Sequence, residues 1–131
     1  MLNYEIKGTG AETLVLLHGF MENLSIWEDM EPFLSKDFQL VKVDLPGFGK
    51  SKVIAETQTM DLMAQEIKIL MDHLEVDRFH LLGHSMGGYI GLAFAEKYPD
   101  SLKSLSLFFS TFFADKKKKK NTRLKSLRVI H

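Results

Sequence analysis

The chain has no cysteine, which excludes disulfides, thiol catalysis and thiolate metal sites and leaves the redox compartment unmarked. It has no basic leader followed by an apolar run. Met1-Leu2-Asn3-Tyr4-Glu5-Ile6-Lys7 mixes polar and apolar residues, which argues against a secretory signal. No apolar stretch approaches the ~20 residues of a membrane-crossing helix, so no membrane span is expected and a cytoplasmic location is the default. No acidic residue follows Asp115, and His131 is the one histidine after His84.

What is present fits an ordinary globular protein. The 131 residues are 45% hydrophobic and 26% charged, enough for one domain with a core of its own. The formal net charge of zero hides an asymmetry. Residues 1–115 carry 9 basic and 17 acidic side chains, a net of −8, whereas residues 116–131 carry 8 basic and no acidic ones. Such a block reads as a solvated or disordered tail. It has no aromatics to stack on bases, so no nucleic-acid partner is expected.

Along the chain, strand and helix patterns alternate. Leu2–Lys7 alternates polar and apolar residues as a short strand, and Gly8-Thr9-Gly10 is a turn. Thr13–Leu17 is a continuous apolar run, as expected of a strand buried on both faces of a parallel sheet. A helical segment is predicted over Asn23–Leu34, with Trp27, Met30 and Leu34 at helical spacing and Pro32 breaking or restarting it. Gln39–Asp44 reads as a second buried strand, and Leu45–Ser51 as a Pro/Gly-rich loop. Thr59 can cap a helix to about Leu74, with Met63, Ile67, Leu70 and Leu74 on one stripe. Phe79–Leu82 reads as a strand, Gly88–Tyr98 as a helix stopped by Pro99, and Leu102–Phe109 as a further strand. The pattern predicts an α/β fold: a mostly parallel sheet with helices on both faces.

Between the third of these parallel strands and its helix lies Gly83-His84-Ser85-Met86-Gly87, a G-x-S-x-G sequence. A serine at the apex of a tight strand-to-helix turn needs neighbours without a β-carbon two residues away on each side. Otherwise they collide with the strand and helix they face. The arrangement pushes the hydroxyl out beside backbone N–H groups at a helix start, where a developing oxyanion can be held. A Gly-rich turn before a helix can also be a phosphate site or a plain connection. His18-Gly19-Phe20, the Asp44–Ser51 loop and Ser85 all follow strands, so they fall at one edge of the sheet.

Leu17-His18-Gly19-Phe20, Asp44-Leu45-Pro46-Gly47-Phe48-Gly49-Lys50-Ser51 and Gly83-His84-Ser85-Met86-Gly87-Gly88 together resemble the three successive N-terminal motifs of the α/β-hydrolase superfamily, serine-nucleophile type. The resemblance covers residues 1–114, about the first half of a typical member, and implies an α/β-hydrolase-like sheet lacking its last strands. It implies that Ser85 is the nucleophile and that the backbone N–H groups of Phe20 and Met86 form the oxyanion hole. Both side chains would line the acyl pocket. Gly19, Gly83 and Gly87 support the turns. His18 is implied to hold its loop by hydrogen bonds, His84 to point away from Ser85, and the Asp44–Ser51 loop to brace the site. The reaction implied is hydrolysis of small carboxylic esters or related acyl compounds, with no cofactor and no metal.

Serine catalysis also needs a histidine and an acid, which follow the nucleophile in this family. After Ser85 the acids are Glu96, Asp100 and Asp115, of which Asp115 is a weak candidate, and the one histidine is the terminal His131. The expectation is therefore a chain truncated before the triad histidine. Residues 1–114 would be a partial core, and residues 115–131 a basic tail or the start of a truncated lid. The alternative is an inactive truncated hydrolase that only binds a small acyl ligand or a partner chain. Truncation would leave the Leu102–Phe109 strand as an open apolar edge through which the chain can self-associate.

Overall fold

A computed structural model of the chain describes residues 1–108; residues 115–131, including Asp115 and His131, lie outside the described residues, as does Phe109. The described strands are β1 (Tyr4–Lys7), β2 (Glu12–Leu17), β3 (Phe38–Val43), β4 (Phe79–His84) and β5 (Leu102–Phe108). The helices are α1 (Glu31–Leu34), α2 (Met60–His73) and α3 (Met86–Lys97), with short 3₁₀ turns at Leu24–Trp27 and Pro99–Ser101. The strand order is β1-β3-β2-β4-β5, and every pairing is parallel except β1 against β3. The α/β architecture expected from the alternating pattern is the one observed.

β2 lies at the centre. Its side chains alternate between two cores: Val15 and Leu17 pack with α2 and α3, while Leu14 and Leu16 pack with Trp27 and Leu40 on the opposite face. That is why four consecutive apolar residues are needed there, since a one-sided strand would alternate. Helices do cover both faces, but unequally. The first face carries two full helices, and the second a 3₁₀ turn and the single turn of α1.

The segment predicted as one helix over Asn23–Leu34 is thus two short pieces. Asn23 caps the first, its side-chain oxygen accepting from the Ser25 N–H. Pro32, lacking an N–H, falls in the first turn of the second, where none is needed. α2 starts where expected, with Thr59 Oγ1 accepting from the Leu62 N–H at 3.1 Å. In β5 the register against β4 slips between Phe79 and His80. The slip accounts for the odd spacing of Leu102 and Leu105, both of which pack against the α2/α3 core.

Among the described residues, the buried side-chain nitrogens and oxygens have hydrogen-bond partners, Trp27 Nε1 excepted. Lys42, 1% exposed, meets Glu5 at 2.9 Å and Glu31 at 2.8 Å, tying β1, β3 and α1 together. Burial alone pulls its ammonium down, but the bonds to Glu31 and Glu5 outweigh this and hold it above the usual lysine range.

Candidate active site

Ser85 connects β4 to α3 at φ 54°, ψ −115°, a conformation that costs a non-glycine residue on the order of 1–3 kcal/mol. Backbone crowding holds it there. A Cβ on Gly83 would lie 2.4 Å from the Gly87 carbonyl oxygen, and a Cβ on Gly87 2.4 Å from that of Leu17. The Ser85 N–H donates to the Phe108 carbonyl at 2.9 Å, and the Ser85 carbonyl accepts from the Gly88 N–H at 2.9 Å. The serine is pinned on both sides and remains partly exposed.

The turn after β2 lies against this elbow. A Cβ on Gly19 would come within 3.2 Å of the Ser85 Cβ and 2.5 Å of Glu22 Oε1. The Glu22 N–H reaches back to the Gly19 carbonyl at 3.3 Å, and Met21 takes a positive φ of 63°. His18, fully buried, anchors the entry. Its Nε2 accepts from the Leu45 N–H at 2.9 Å, so Nδ1 carries the proton and donates to the Gly19 carbonyl at 2.7 Å. Burial pushes the His18 pKa below its ordinary value despite that bond and the nearby Asp44 and Glu22 charges. With both nitrogens engaged, His18 holds a loop and offers no lone pair to Ser85.

The loop after β3 is tied by Asp44. Its carboxylate accepts from the backbone N–H groups of Leu24 and Lys50 and from Asn3 Nδ2, at 2.8, 2.9 and 2.8 Å. Burial alone would raise its pKa, but these donors, Lys50 and Leu24 foremost, outweigh it and hold the carboxyl below the usual range. Gly49 passes so close that a Cβ there would strike the Asp44 carboxylate.

Phe20 is 66% exposed and packs edge-on against Phe48 at 5.6 Å. Met86 packs against the α2/α3 core. His84 Nδ1 faces Glu22 Oε1 at 2.9 Å, with its ring edge-on to Phe108 and Trp27. These residues, with Ile26 and Met30, line a cleft of about 290 Å³. Glu22 is the site residue that sequence reading missed. No sequence pattern marked it, because its partner His84 is 62 residues away.

His73 ends α2 and His80 is the second residue of β4, toward the opposite edge of the sheet. Among the described residues no three His, Asp or Glu side chains gather to hold a metal ion, and no helix is long and apolar enough to cross a membrane.

Comparison with known proteins matches residues 12–118 to the family described as alpha/beta hydrolase fold. The chain is 38% identical over 111 residues to a 2-hydroxy-6-oxononadienedioate/2-hydroxy-6-oxononatrienedioate hydrolase of Paraburkholderia phymatum. It is 37% identical over 107 residues to the dihydrolipoyllysine-residue acetyltransferase component of an acetoin cleaving system of Pseudomonas putida. These matches take in 81% and 82% of this chain but 38% and 29% of the relatives. Among solved structures, a thermophilic esterase from Thermogutta terrifontis superposes with a TM-score of 0.79 at 36% identity, over 95% of this chain and 46% of that one. The chain therefore spans less than half the length of each of these three proteins.

Proposed function

Because the chain belongs to the alpha/beta hydrolase family, we propose that it carries the nucleophile and oxyanion hole of a serine hydrolase acting on small carboxylic esters or related acyl compounds. The observation that carries this reading is Ser85 at φ 54° between two glycines that tolerate no β-carbon. Such strain is retained where it presents a reacting group. The Ser85 Oγ attacks the acyl carbon, and the carbonyl oxygen becomes an oxyanion. That oxyanion accepts from the N–H of Met86, free at the start of α3, and from the N–H of Phe20. Collapse expels the alcohol and leaves an acyl-serine, which water then cleaves.

The proton of Ser85 must go to a base. His18 has no free nitrogen, Nδ1 of His84 is turned to Glu22, and His73 and His80 lie toward the other edge. In this reading the base comes from outside residues 1–108. The β5 edge, unpaired among the described residues, is where further chain or a second copy would add. Light scattering at micromolar concentration is expected to show species larger than a monomer; a clean monomer counts against self-association.

The test of the hydrolase reading is turnover of a short activated ester by wild type and by Ser85→Ala, with intact mass of the protein in the same reaction. One acyl adduct, absent from Ser85→Ala, together with loss of turnover supports it. A wild type that takes up no more acyl adduct than Ser85→Ala would sink it.

A further inference from the structure

We propose that Glu22 and His84 form a positioning pair that sets the distance between the two arms of the oxyanion hole. This rests on the serine-hydrolase reading above and adds to it a residue, Glu22, that no motif supplies. The two proposed donors come from separate turns, Phe20 after β2 and Met86 after β4. The second is rigid because α3 begins there. The first is not: Phe20 is mostly exposed, Met21 sits in a left-handed conformation, and the bond closing the turn, from the Glu22 N–H to the Gly19 carbonyl, is long at 3.3 Å.

Glu22 supplies what the turn lacks. Its Oε1 accepts from the Gly19 N–H at 2.7 Å and meets His84 Nδ1 at 2.9 Å. A carboxylate oxygen only accepts, so His84 bears its proton on Nδ1. The His84 ring is held edge-on to Phe108 at 5.5 Å and to Trp27 at 6.5 Å, and its backbone ends β4 immediately before Ser85. One oxygen thus joins the residue before Phe20 to the residue before Ser85. Without it the Phe20 N–H is free to swing away from the point where charge develops. A donor displaced by about 1 Å can cost about 100-fold in rate.

A plain loop brace and a positioning pair predict different results. In Glu22→Ala, kcat for a short activated ester is expected to fall about 10- to 100-fold, with KM within about 2-fold of wild type. Glu22→Gln keeps an acceptor oxygen and is expected to recover kcat to within about 5-fold. An unchanged kcat in Glu22→Ala overturns the proposal, and so does a rise in KM alone or a Gln variant as slow as Ala. The Ser85→Ala control separates this from the hydrolase reading. If wild type and Ser85→Ala are indistinguishable, that reading fails, and the pair is judged by amide hydrogen exchange at Gly19. Exchange is expected to speed at least 10-fold in Glu22→Ala, and an unchanged rate removes the pair as well.

Discussion

The two turns that meet at Ser85 are built on different principles. The elbow after β4 is held by backbone against backbone: Gly83 against Gly87, and Gly87 against Leu17. The turn after β2 is held by side chains that reach across the fold: His18 to Leu45, and Glu22 to Gly19 and His84. The Gly83–Gly87 lock acts at a fixed chain spacing, and a Cβ at either glycine meets backbone that must shift. Hydrogen-bonded locks can be loosened by degrees and respond to pH.

The largest effect should come from the steric lock. Gly83→Ala forces a Cβ to 2.4 Å from a carbonyl oxygen, and neither backbone can yield without moving β4 or α3. A loss of about 4 kcal/mol or failure to fold is expected in urea unfolding. A loss below about 1 kcal/mol would show that the elbow is soft. Asp44→Ala tests the second kind of lock. It leaves the N–H groups of Leu24 and Lys50 without their acceptor, with an expected loss of about 2–3 kcal/mol. Recovery in Asp44→Asn should be partial.

The pH response is smaller and has a definite sign. His18 is neutral in the fold, with its pKa below the ordinary 6.5. The unfolded chain therefore binds the extra proton first, and stability falls as pH drops below about 6.5. Asp44, held below 3.8, adds a second loss as pH falls past that value toward its folded pKa. Thermal midpoints are expected to be level between pH 7 and 8 and to decline from 6.5 downward, with the first decline absent in His18→Gln. The smallest effect has the opposite direction. Ser85→Gly removes a side chain from a strained φ of 54° and is expected to stabilise by about 1 kcal/mol while abolishing turnover. Stability lost in that variant would mean that the serine is not strained.

The same contrast explains what could be read in advance. Gly83 and Gly87 flank Ser85 at fixed offsets, so the elbow was visible as a spacing. The buried run Leu14–Leu17 showed that its strand would be covered on both faces. The partition of Asn23–Leu34 into two pieces was only half visible: Pro32 marked a restart, but Trp27 and Met30 kept helical spacing because both face the same small core. Lys42 looked like an ordinary strand lysine, and its burial between Glu5 and Glu31 depended on which strands became neighbours. Phe20 was expected to line a pocket; its ring is 66% exposed and packs on Phe48.

By itself the sequence determined the strand–helix alternation, the parallel sheet and the sharp turn at Ser85. Each follows from local sterics or from periodicity along a few residues, which any fold must respect. Only the tertiary structure decided that Glu22 meets His84, that His18 spends both nitrogens on Gly19 and Leu45, and that Asp44 collects donors from Asn3, Leu24 and Lys50. Those contacts join residues far apart in the chain. A hydrogen bond has no preferred sequence separation, so its partners are set by the order in which strands lie side by side.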